Sequence, residues 1–113
     1  SQKTISIGQD VNDDLSSERD VLARSILSNT YSEYRKVLTS KRRELTEEWK
    51  KGSKMADQMS GVVHLTQEKA NELFDIIDEF INIHAKASDN THPFEYVFIA
   101  FRADLNEEDD HES

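Results

Sequence analysis

The side chains able to hold a metal or move a proton are four histidines, His64, His84, His92 and His111, among 23 acidic residues. His84 and His92 flank a loop containing Asp89, so a mononuclear metal site is conceivable, but the spacing fits no standard ligand pattern. His84 also continues an apolar stripe at the end of a helix, where the macrodipole favours an imidazolium. That structural role is the preferred reading, and no metal ligand is assigned. Carboxylates do acid–base work when one of them is sequestered. Glu72, Asp75 and Glu79 instead fall on the polar face of a helix, as solvated charge. The chain has only three glycines, and it contains no glycine-rich phosphate loop, nucleophile elbow or HExxH pair. No catalytic residue and no cofactor are therefore expected. The chain reads as a binding protein, not an enzyme, and a small metal-dependent hydrolase ranks last among the classes considered.

A second constellation is basic. Lys41, Arg42, Arg43, Lys50, Lys51 and Lys54 surround Leu45 and Trp49, which invites a nucleic-acid reading. Glu44, Glu47 and Glu48 dilute it, and Glu47 to Lys51 is a favourable helical pair. Residues Glu68 to Glu79 are acidic, with Lys69 the single base there, and complement the basic stretch within one chain or across a dimer. That pairing is preferred to DNA.

The absence of cysteine excludes a disulfide scaffold, a thiolate zinc site and cysteine catalysis. It agrees with a cytoplasmic location. No apolar run approaches the roughly 20 residues that cross a bilayer, and no signal peptide opens the chain, so no membrane partner is expected.

At 113 residues the chain is the size of one domain. Six of its acids lie in the last ten positions, and without them 17 acids face 14 bases, so the net charge falls from −9 to −3. The expected organisation is one α+β domain over residues 1–103 and a disordered acidic tail over 104–113.

Three segments read as strands. Thr4 to Gly8 alternates polar and apolar residues, Val62 to Leu65 is a short apolar run, and Phe94 to Phe101 is apolar on both faces. A strand of the last kind is normally buried on both sides. Two helices are expected. The longer opens at Ser16 or Ser17 and places Leu22, Ile26, Leu27, Tyr31, Tyr34, Leu38, Leu45 and Trp49 at helical spacings up to Gly52. It is either continuous or broken at Ser28-Asn29-Thr30 or Thr39-Ser40, where the residues are weak helix formers. Beyond Leu38 its apolar residues narrow to a seam of Leu38, Leu45 and Trp49, which is the expected dimer interface. The medium helix is capped by Thr66 and carries Ala70, Leu73, Phe74, Ile77, Phe80, Ile81 and His84, with Ile76 and Ile83 widening the stripe. The expected fold is a small antiparallel sheet of about three strands, covered by one long and one medium helix. Such a sheet leaves one face bare, a further reason to expect a homodimer.

The stretch Leu65-Thr66-Gln67-Glu68-Lys69-Ala70-Asn71-Glu72-Leu73, with Ile76, Ile77 and Phe80, resembles a segment of bacterial ArsR-like winged-helix regulators. In longer members an LTPEEA-type helix start follows a DNA-binding winged helix and a linking helix. A short polar loop and an apolar strand come next, and Pro93 to Phe101 is similar to that strand. Gln67 stands where proline is usual. The resemblance spans Ile5 to Leu105, with about 35 distinctive residues, and its motif is only a helix start plus periodicity. It implies an effector-sensing, dimerising C-terminal domain of a transcriptional regulator, with DNA bound only through an N-terminal domain missing from this chain. A small-molecule effector would lie between Tyr31, Tyr34 and Trp49 on one side and Tyr96 and Phe98 on the other. The alternative is a stand-alone protein–protein interaction module that uses the long-helix seam.

Overall fold

The computed structural model describes residues 17–106. Within them the chain is helical: α1 (Ser17–Thr39), a 3-10 turn (Lys41–Leu45), the single-turn α2 (Glu47–Lys50), α3 (Gln67–Ile83) and a closing 3-10 turn (Ala103–Leu105). The α+β expectation is therefore corrected, because the described residues contain no strand. The expected strand at Thr4 to Gly8 lies outside them.

The reason lies in what a β pattern encodes. Alternating or continuous apolar residues specify how side chains fit a pleated surface, not whether a neighbouring strand is present to complete the ladder. Val62 to Leu65 and Phe94 to Phe101 make no backbone hydrogen bonds among the described residues. Nor is the second segment buried on both sides: Phe101 is 76% exposed and Phe94 64%. With the sheet goes the argument that its bare face calls for a dimer.

Local hydrogen bonding sets the helix ends. α1, about 34 Å long at 1.5 Å per residue, stops at the second of its two weak points. The Thr39 hydroxyl turns back to the Arg35 carbonyl (3.1 Å), and Ser40 takes an extended backbone (φ −77°, ψ 133°). The Ser40 side chain then accepts from the Arg42 amide, capping the 3-10 turn (3.1 Å). Thr46 repeats the device: its amide donates to the Arg43 carbonyl (3.2 Å), and its hydroxyl accepts from the Trp49 amide (3.1 Å) to cap α2. After one turn Gly52 ends α2 at φ +78°, a left-handed conformation that costs glycine little. The Gly52 and Ser53 amides bond the Trp49 and Glu48 carbonyls, each at 3.0 Å, completing a Schellman motif.

α3 starts where the sequence places it. The Thr66 hydroxyl accepts from the Lys69 amide (3.1 Å), and an ion pair from Lys69 to Glu72 (3.0 Å) supports the first turn. His84 forms the C-cap, and a turn at Ser88 to Thr91 follows, with Asn90 at φ 67°.

Tertiary packing is slight. Among the described elements extensive contact is confined to α2 and the 3-10 turn before it, and no described residue is buried. The radius of gyration is 17.4 Å, against about 13 Å for a compact chain of this length. Because its cap is the main local support at the start of α3, Thr66→Ala should lower stability by about 1 kcal/mol. Circular dichroism during urea titration would read that loss, and Thr66→Ser should recover most of it. An unchanged midpoint for Thr66→Ala would contradict the capping role.

Candidate interaction surface

The half-buried positions of each long helix fall on one line. In α1 they include Ala23, Ile26, Thr30 and Tyr34; in α3 they are Ala70, Leu73, Ile77 and Ile81. Both follow three- and four-residue steps and so mark one face of each helix. α3 carries a second apolar line about a quarter-turn or more away, formed by Ile76, Phe80 and Ile83. These three side chains are exposed, Phe80 at 65% and Ile83 at 68%. Together with Glu79 they line an open depression of about 230 Å³. Fully covering a large apolar side chain is worth about 1.5–3 kcal/mol, so this line alone withholds several kcal/mol from the isolated chain.

The aromatic residues expected to hold an effector are distributed over separate contacts. Tyr31 and Tyr34 lie side by side on α1, ring centroids 6.1 Å apart. Phe98 meets Phe74 of α3 edge-on at 5.9 Å, which draws the C-terminal segment against that helix. Trp49 sits on α2 beneath the Arg43 guanidinium, 4.9 Å from the ring centroid, a cation–π geometry. Tyr96 is exposed on the C-terminal segment. A second open depression, of about 410 Å³, runs along α1 past Ser28, Tyr31, Arg35 and Thr39. Of the five aromatics it includes Tyr31 alone.

The expected dimer residues occupy three elements instead of one seam. Leu38 closes α1, Leu45 ends the 3-10 turn and Trp49 belongs to α2. The break at Ser40 interrupts the helical periodicity that made them a stripe, yet all three remain exposed, Leu45 at 80%.

Around them the charges are partly paired. Lys50 reaches Glu47 (3.5 Å) and Lys54 reaches Asp57 (3.0 Å). Asp57 also accepts from the Gln58 amide (2.9 Å). The Lys54 hydrogen bond, then that amide, hold the Asp57 carboxyl below its ordinary range. The pair is fully solvent-exposed, so it adds little to stability. Whatever it adds is present above the ordinary aspartate pKa and is lost as pH falls through the lowered value. Similarly, a hydrogen-bonded ion pair with Arg102 lowers the Asp104 carboxyl; Asp104 was expected to open the tail and lies in the closing 3-10 turn. Arg43 Nε is buried and has no hydrogen-bond partner among the described residues.

Two of the four histidines have defined contacts, and His111 lies outside the described residues. His84 Nδ1 lies 2.8 Å from the Phe80 carbonyl. Since a carbonyl only accepts, that nitrogen carries the proton and satisfies one of the orphan acceptors at the end of α3. The His84 ring also packs on Phe80 at 4.4 Å. His92 Nε2 stands 3.5 Å from Glu48, an ion pair only when the imidazole is protonated. Among the described residues no group of three or more His, Asp or Glu side chains is placed to hold a metal ion. Likewise no helix there is long and apolar enough to cross a membrane.

Two parts of this surface escaped sequence reasoning. Ile76 and Ile83 were assigned to the margin of a single core stripe. Their signal was the width of the apolar arc, broader than one contact face needs. The Arg43–Trp49 stack crosses a helix boundary, and six-residue spacing carries no signature for it. No protein-family model matches the chain, and neither a curated protein nor a solved structure matches it.

Two measurements check this geometry. Arg43→Gln should uncover the Trp49 ring, shifting its emission to the red and raising acrylamide quenching; unchanged fluorescence would remove the stack. In an NMR titration Lys54→Gln should raise the Asp57 pKa but leave it below the ordinary value, because the Gln58 amide remains. A full return to the ordinary value would deny that amide its share.

Proposed function

We propose that this chain is the effector-sensing and dimerisation domain of a bacterial transcriptional regulator whose DNA-binding winged helix lies elsewhere in the polypeptide. One observation carries the reading: the chain forms well-capped helices yet buries none of its described residues, so its apolar surface is built to be covered by a partner. The resemblance of Leu65 to Phe80 to ArsR-like regulators suggests the class, whereas Pro93 to Phe101, which resembles their apolar strand in sequence, forms no strand here. The helical architecture supplies the means, since two copies joined through it would set the spacing of two winged helices and hence of two operator half-sites.

An effector in such a protein acts by binding one dimer geometry better than another. Tyr31, Tyr34, Trp49, Tyr96 and Phe98 are the side chains offered to it, and dimer closure would enclose what is open in one chain. The proposal places the protein in the cytoplasm and gives it no catalytic role. The alternative, a stand-alone interaction module, would use the same Leu38, Leu45 and Trp49 surface, and the two readings differ in the length of the native polypeptide.

The test is the native polypeptide, isolated from its source cells with an antibody against this domain. A mass larger by about one small domain of some 80 residues, recovered with specific DNA fragments, is the expected result. A native mass of 13.0 kDa, the mass of this chain, would overturn it.

A further inference from the structure

We infer that the exposed Ile76–Phe80–Ile83 line of α3 docks on the basic segment Lys41 to Lys54 of a second copy of this chain, twice over, about a two-fold axis. The inference rests on the dimerisation reading above and names the surface that performs it.

Charge selects the occupant. α3 carries Glu68, Glu72, Asp75, Asp78 and Glu79 against Lys69, a net −4, while Lys41 to Lys54 carries six bases against three acids, a net +3. Among the described residues no ion pair joins these opposite fields. Three of the ion pairs found in the two regions are local, Lys69 with Glu72, Lys50 with Glu47 and Lys54 with Asp57, while Glu48 is met by His92 from a distant part of the sequence and pairs with it only when the imidazole is protonated. Glu79 on one surface and Lys41, Arg42 and Lys51 on the other have no ion-pair partner among the described residues. An acidic helix and a basic segment that form no ion pair with each other among the described residues make the chain complementary to a second copy of itself.

The apolar parts match as well. Glu72 and Glu79 sit beside the Ile76–Phe80–Ile83 line, so the acidic rim borders an apolar strip. In the other segment Leu45 and the partly covered Trp49 are exposed, and the sequence around them, Lys41 to Lys54, is basic on balance. Apolar centre against apolar centre with opposite charges at the rim is the ordinary anatomy of an interface. The rim charges set orientation and partner choice more than affinity. A two-fold arrangement uses each surface once per chain and closes without leaving either exposed.

The experiment uses the full chain in two charge-reversed forms, with mass read by sedimentation at low salt. The first carries Glu72→Lys and Glu79→Lys; the second carries Lys41→Glu, Arg42→Glu and Lys51→Glu. Wild type should dimerise, and each reversed form alone should self-associate at least about tenfold more weakly, because like charges then meet at the rims of both contacts. Mixed in equal amounts, they should regain wild-type affinity as a dimer of one copy of each, with both contacts attractive again. Restoration by mixing also shows that both forms are folded. Dimers that survive either reversal, or a mixture that stays dissociated while wild type dimerises, would overturn this interface and leave the dimerisation reading standing. A wild type that is monomeric throughout would overturn both. Should the second form lose only binding to duplex DNA, with its dimer intact, the basic segment's partner would be nucleic acid and the inference would fall.

Discussion

Fixing a backbone residue costs about 1–2 kcal/mol of conformational entropy, and a chain offsets that cost chiefly by taking apolar surface out of water. Here none of the described residues is buried. Phe94, Tyr96, Val97, Phe98, Ile99 and Phe101 are all exposed in one segment, as are Ile76, Phe80 and Ile83 on α3. Every other feature of the protein depends on this deficit. Slight contact between the helices, an apolar segment without ladder hydrogen bonds and opposite charges without mutual ion pairs, all among the described residues, go with it.

Local order survives because it is supplied locally. Ser40, Thr46 and Thr66 each cap the helix that follows, and Gly52 and His84 satisfy the carbonyls of the one that precedes. Such devices are worth about 1 kcal/mol apiece, enough to place helix ends but not to hold a tertiary fold. The same local logic turns His84 from a candidate ligand into a cap, and Arg43 from a candidate phosphate binder into the cover of Trp49. What the surface offers is exposed apolar area bordered by charge.

The sequence announces its helix boundaries well, since capping chemistry is read over three or four residues. Thr66, Gly52 and the weak run at Thr39-Ser40 all act where their residue types say they should. Its β-like segments were misleading for a physical reason: a ladder is a property of two strands, and periodicity within Phe94 to Phe101 says nothing about the second. The α3 surface was half legible. Its periodicity marked an apolar face, but Leu73 and Ile77 share one line and Ile76 and Phe80 another, and only the fold separates them. The basic segment was visible as composition, whereas its division into a 3-10 turn and a single helical turn depends on Ser40 and Thr46 acting in succession.

If association completes this protein, its stability must depend on its own concentration. The direct measurement is thermal unfolding followed by circular dichroism over a thousandfold dilution series, with mass read at each concentration. The account requires that the melting midpoint and the helical signal fall together as the protein dissociates. A monomer that melts cooperatively at the same temperature throughout the series would contradict it.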